Sequence, residues 1–105
     1  MGYVKANDVR SPKGAWVLIQ VLVDNGPSTK DNGQWSLAVG DWYGERRLAA
    51  RWNGHEDTGG SPAGNPQSRG IATWFIVPNE FEGPLMAVVP ADKLALAKAL
   101  LNQTK

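Results

Sequence analysis

Gln34-Trp35-Ser36-Leu37-Ala38-Val39-Gly40 and Arg46-Arg47-Leu48-Ala49-Ala50-Arg51-Trp52 are two alternating runs, separated by Asp41-Trp42-Tyr43-Gly44-Glu45. In the first run Trp35, Leu37 and Val39 share one parity and Ser36 and Ala38 the other, the period of a half-buried strand. In the second, Leu48, Ala50 and Trp52 fall on an inward set and Arg47, Ala49 and Arg51 on an outward one. The five residues between them turn, so the two runs pair as a hairpin with a basic outer stripe.

Upstream of the hairpin, Trp16-Val17-Leu18-Ile19-Gln20-Val21-Leu22-Val23 is apolar on both parities except at Gln20, which predicts a central strand covered on both faces. Asp24 to Gly33 gathers nearly every turn-forming residue type and reads as an exposed loop. Met1 to Gly14 carries no periodicity and reads as a tail or irregular lead-in.

Downstream, the unusual chemistry is concentrated between Arg51 and Pro78. Asn53-Gly54 favours the positive φ of a tight turn and ends the second strand. The segment to Gly70 then has almost nothing apolar to bury, and loops of that length in small domains are usually functional or disordered. Ile71-Ala72-Thr73-Trp74-Phe75-Ile76-Val77 predicts a buried strand. Pro78 to Pro84 reads as a turn or helical turn, and Leu85 to Val89 fits either an edge strand or a bent helix. Pro90 to Gln103 predicts a helix, with Pro at its start, Asp92 in its first turn and Leu94, Leu96, Ala97, Leu100 and Leu101 as an apolar arc. The fold class is therefore α+β: a curved antiparallel sheet, or a small barrel-like one, over residues 15–89, with one C-terminal helix over 90–103.

With 105 residues, 42% hydrophobic and 20% charged, the chain is expected to fold as a single domain. A net charge of +1 gives no overall field for recruiting nucleic acid. Cysteine is absent, which excludes disulfides and thiolate chemistry, and no run has the length or pattern of a membrane span or a secretory signal. A cytoplasmic protein with no membrane partner is the expectation. Five tryptophans in so short a chain are the compositional oddity.

Pro66 stiffens the 53–70 loop, while Asn65, Gln67, Ser68 and Arg69 offer donors for a carboxylate or phosphate. With Arg51, Trp52, Asn53 and Trp74 at its flanks, the loop defines a candidate small-molecule site of Arg51, Trp52, Asn53, Asn65, Ser68, Arg69 and Trp74. Arg69 is expected to turn back onto Trp52 or Trp74, with the 65–70 segment lining the main cleft; a solvent-facing Arg69 would make the loop a plain connector. A second pattern, Trp42, Tyr43, Arg47, Arg51 and Arg69, would suit single-stranded nucleic acid, with rings for stacking and guanidinium groups for phosphates. A charged, solvated sheet face accounts for the same arginines.

His55-Glu56-Asp57 places an imidazole beside two carboxylates and admits acid/base work in a small hydrolase or transferase. With one histidine in the chain, a transition-metal site is not expected, and a solvated loop explains the run. Gly59-Gly60-Ser61-Pro62-Ala63-Gly64 lacks the Lys-Ser/Thr ending of a phosphate-binding loop, so no cofactor is expected.

Trp35-Ser36-Leu37-Ala38-Val39-Gly40, Arg51-Trp52-Asn53-Gly54, Gly64-Asn65-Pro66-Gln67-Ser68-Arg69-Gly70 and Trp74-Phe75-Ile76-Val77-Pro78 together resemble small uncharacterised bacterial proteins of the kind carried by mobile elements such as integron gene cassettes. The resemblance covers roughly residues 34–78. It implies that the loop and its flanking strands belong together and implies no activity. The function expected from the residues is a binding or interaction module that self-associates, a dimer first, because a small chain with excess aromatic surface completes its core with a second copy.

Overall fold

Tyr43 and Gly44, both at positive φ (52° and 85°), make a two-residue turn that sets the register of the whole hairpin. It closes a ladder running without a slip from Trp42↔Glu45 to Trp35↔Trp52. In the computed structural model, which describes residues 3–29, 32–56 and 60–102, the strands are β1 (Trp16–Asp24), β2 (Trp35–Trp42), β3 (Glu45–Trp52), β4 (Gln67–Ser68), β5 (Ile71–Ala72) and β6 (Phe75–Ile76). β1, β2, β3 and β6 form an open antiparallel sheet in that order, and β4 and β5 pair separately. The α+β class holds; the sheet does not close into a barrel.

Both faces of the sheet are covered. On one, Trp16, Ala38, Ala49 and Trp74 are buried together with Ala6 and Val9 of the lead-in and Ala63 and Ala72 of the loop region. On the other, Leu37, Val39, Leu48 and Val77 meet Leu22, Val23, Val89 and Ala97. Each large apolar side chain buried there stabilises the fold by about 1.5–3 kcal/mol. The lead-in is thus part of the core rather than a tail. Val4 N–H donates to Pro62 O (3.2 Å), Trp74 N–H to Ser11 O (3.0 Å) and Trp74 Nε1 to Val9 O (2.8 Å).

Three strand readings need correction. β1 is an edge strand, not a central one, and its register slips between Leu18 and Gln20 and between Val21 and Val23. Such bulges twist an edge away from further pairing. The run 71–77 is broken, because its first pair of residues turns back on β4 and only its end reaches β3, where Phe75 and Ile76 pair with Ala50 and Ala49 and Val77 N–H donates to Leu48 O (3.0 Å). Ile71 and Phe75 are exposed in consequence. Within β3 the parity was read correctly, but Arg51 on the outward set is buried and Trp52 on the inward set is exposed. The loop covers Arg51, bringing the Ala63, Pro66 and Thr73 carbonyls to its guanidinium, whereas the indole of Trp52 stands exposed at the end of the strand.

The helical segment runs through a 3-10 turn at Asn79–Phe81, α1 (Glu82–Leu85), a 3-10 turn at Met86–Val88 and α2 (Ala91–Leu101), so 85–88 is helical and Val89 extended. Eleven residues make α2 about 16 Å long. Its end is held where Arg46 Nη1 donates to Leu100 O (3.0 Å) while Nε bonds Asp41 (2.7 Å), a cation at a helix C-terminus. Arg46 sits at the start of β3. The far end of the same strand, around Trp52, is left open.

Candidate functional site: an aromatic cleft

Because β2 and β3 are paired antiparallel, Trp35 and Trp52 stand opposite each other at the open end of the sheet, and Ala50 and Phe75 are partners in the next pair of strands. All four lie on one face, and together with Arg51, Asn65 and Pro66 they line a cleft of about 660 Å³. Trp52 is 57% exposed and Phe75 56%, values unlike those of the core tryptophans. Ala50 between the rings provides depth, since a larger side chain there would fill the floor. The indole of Trp52 is backed by Gly33, where even a Cβ would lie 3.0 Å from the ring.

The loop supplies one wall through backbone pairing. Trp52 N–H donates to Asn65 O (2.7 Å) and Asn65 N–H to Trp52 O (3.1 Å). This approach needs Gly64, at φ 69°, whose Cβ would fall 2.3 Å from Trp52 O. Arg51 then ties the wall down: its guanidinium donates to the carbonyls of Thr73 and Ala63 and, at 3.4 Å, of Pro66. The side chain is 4% exposed and its Nε has no hydrogen-bond partner among the described residues. Burial pushes the Arg51 pKa down from its ordinary value.

Of the residues expected at a ligand site, then, Arg51, Trp52 and Asn65 meet at the cleft and four others do not line it. Asn53 is buried beneath the end of the hairpin, its side chain bonded to Ser36 and to Gly26 O (2.7 Å each). Trp74 is a core residue of the opposite face. Ser68 and Arg69 lie on the β4–β5 hairpin, where Arg69 has φ 53°. Arg69 is exposed and makes no side-chain hydrogen bond, ion pair or ring contact among the described residues. It does not stack on Trp52 or Trp74, so the Ser68–Gly70 turn is a connector. Pro66 lines the cleft as part of the expected 65–70 segment, whereas Trp35, Ala50 and Phe75 were missed by sequence reasoning. The register pairing of Trp35 with Trp52 was a usable signal; the exposure of Phe75 was not, since its run reads as a buried strand.

The nucleic-acid pattern is divided by the fold. Trp42 and Tyr43 are in edge-to-face contact (4.6 Å) at the turn, and Trp42 and Arg47 share a second, smaller cleft of about 330 Å³. Arg47 is engaged by Glu45 (2.6 Å) and by Asn79. Arg51 is buried on carbonyl oxygens and presents no guanidinium face to a phosphate. Near this second cleft, burial raises the Glu82 pKa, and Arg47 opposes the rise.

His55 is half-buried, with Nε2 3.1 Å from Thr29 O and its ring against Gly60. Its Nδ1 has no partner among the described residues, so no described carboxylate orients the imidazole for catalysis. Glu56 is exposed, and Asp57 lies outside the described residues. Among the described residues no cluster of three or more His, Asp or Glu side chains could hold a metal ion, and no helix is long and apolar enough to cross a membrane.

Compared with protein-family models, with curated proteins and with solved structures, the chain matches none.

Proposed function

We propose that this chain is a small binding module whose ligand site is the aromatic cleft at the open end of the sheet, and that it self-associates. One observation carries the first part: Trp35, Trp52 and Phe75 converge over Ala50 around about 660 Å³, with two of the three rings more than half exposed. Apolar clefts of this size bury most of a small molecule's surface. Each ring covered by a ligand returns on the order of 2 kcal/mol of apolar burial, before the cost of immobilising the ligand. The walls are fixed in advance by the Trp52–Asn65 backbone pair and the Arg51 strut, which lowers the ordering cost.

The test is titration with a neutral apolar dye, N-phenyl-1-naphthylamine. Saturable fluorescence enhancement with the wild-type chain, weakened in Phe75→Ala, is expected; enhancement unaffected by that substitution places the dye elsewhere and removes the cleft. Self-association is supported by the apolar surface of the helical segment, where Phe81, Val88 and Leu96 are 52%, 45% and 41% exposed. Light scattering should give twice the monomer mass at micromolar concentration, and a monodisperse monomer would end that part of the proposal.

A further inference from the structure

We infer that Asn32-Gly33 is a site of self-modification in the folded chain, where the asparagine converts to aspartate and isoaspartate, and that the isoaspartate product displaces the ring of Trp52. Asn-Gly occurs at Asn25-Gly26, Asn32-Gly33 and Asn53-Gly54, and a following glycine has no side chain to hinder attack. The reaction is the same at each. The glycine nitrogen loses its proton and bonds to the asparagine Cγ, and the carboxamide nitrogen takes up a proton and leaves as ammonia. Water then opens the cyclic imide. Opening at the side-chain carbonyl gives aspartate; opening at the main-chain carbonyl routes the backbone through the side chain and lengthens it by one carbon, as isoaspartate.

The fold treats the three asparagines differently. Asn53 is 2% exposed, and its carboxamide is held by Ser36 Oγ, Gly26 O and Asp24 Oδ1, so its Cγ is not free to turn toward Gly54. Asn25 is exposed, but the nitrogen that must attack is occupied: Gly26 N–H donates to the Asp24 carboxylate (2.9 Å), which holds the proton in place, and Asn25 N–H is tied to Trp35 O (3.2 Å). At Asn32 the bonding is reversed. The residue is exposed, and neither its carboxamide nor the Gly33 N–H has a hydrogen-bond partner among the described residues. Thr29 N–H donates to Asn32 O (2.9 Å), drawing electron density from the peptide group whose nitrogen has to lose its proton. The flanks are pinned. Asn32 N–H donates to Thr29 Oγ1 (3.1 Å), while Gln34 N–H donates to Ser28 Oγ (2.9 Å) and Gln34 O accepts from Asn53 N–H (2.8 Å). A backbone carbon added between those anchors is taken up at Gly33, where a Cβ would already lie 3.0 Å from the Trp52 ring.

Trypsin puts the three asparagines in separate peptides, residues 14–30, 31–46 and 52–69, so their deamidation can be followed by mass spectrometry after the full chain is held in mildly alkaline buffer, folded or in urea. Asn65, also in the last peptide, precedes Pro66 and has no N–H behind it to attack. In urea the three should react at similar rates, because the dipeptide is the same. In the folded chain Asn32 should react at least about tenfold faster than Asn25, equivalent to about 1.4 kcal/mol in the barrier, with Asn53 slowest. Asn25 reacting as fast as Asn32, or Asn32 protected as well as Asn53, overturns the assignment. The isoaspartate form, isolated by chromatography, should show a shifted Trp52 indole N–H signal by NMR with that of Trp16 in place, and Asn32→Asp, which adds the charge without the carbon, should shift it less. An unmoved Trp52 signal, or an equal shift in Asn32→Asp, overturns the displacement of the ring. None of these readouts depends on the cleft being a ligand site.

Discussion

Ser36 Oγ donates a 2.7 Å hydrogen bond to Asn53 Oδ1, joining the first strand of the hairpin to the residue just beyond the second, with both residues fully buried. Asn53 Nδ2 continues the chain of bonds to Gly26 O (2.7 Å), and Ser28 Oγ donates to Asn53 O (2.8 Å). Asn53 is therefore the knot between the β1–β2 loop and the end of β3.

Asn53→Ala should remove the short bond from the Ser36 hydroxyl, leaving it only the 3.4 Å contact with Asp24 Oδ1, and the donor to the half-buried Gly26 carbonyl, at a total of about 1–3 kcal/mol. For a domain of this size that lowers Tm by about 4–8 °C per kcal/mol. Thermal melts followed by circular dichroism measure it, and a Tm within a degree or two of wild type would show that the network is dispensable.

Arg51→Lys should not rescue the strut. The ammonium keeps the charge but lacks the planar fork that reaches the Ala63, Pro66 and Thr73 carbonyls together, so a loss of roughly 1–3 kcal/mol is expected. Hydrogen exchange at the Trp52 and Asn65 amides should quicken at the same time, since those amides form the wall that Arg51 holds. Unchanged exchange with unchanged stability would refute the role.

Tyr3 gives the fold a pH dependence in the alkaline range. Burial first, then the Asp24 carboxylate 3.5 Å from its hydroxyl, raises its pKa to about 12 from an ordinary value of 10.0. Between those two values the folded state holds a proton that the unfolded state has lost, so stability is fully present below about pH 10 and falls as pH rises toward 12. Urea melts of wild type and Tyr3→Phe across that window should differ in slope, with the wild type declining more steeply. Parallel curves would mean that Tyr3 does not contribute.

The hairpin was legible because Trp35, Leu37 and Val39 alternate with small residues, and alternation reports parity directly. What parity cannot report is how much of each face another element will cover. Trp52 shares a face with Leu48, which is 0% exposed, yet Trp52 itself is 57% exposed, so the burial stops before the strand does. Arg51 was misread for the complementary reason: a charged residue on an outward parity belongs in water unless a distant loop brings carbonyl oxygens to it, and nothing local signals that fold-back. The lead-in was opaque in the same way, because Ala6 and Val9 are buried singly, without a period, against elements far along the chain. Of the site, the sequence located the strand end at Arg51 and Trp52 and the loop residue Asn65; the opposite wall depended on how a broken strand returned to the sheet.

The most direct test of the cleft is Trp52→Ala, read for binding and for stability together. Trp52 is 57% exposed, so its loss should change stability by no more than about 1 kcal/mol, whereas the cleft loses the more exposed of its two indoles. Affinity for N-phenyl-1-naphthylamine should fall about tenfold or more, about 1.4 kcal/mol, while the melting curve stays close to that of the wild type. Undiminished affinity in a folded Trp52→Ala chain would contradict the assignment of the cleft as the binding site.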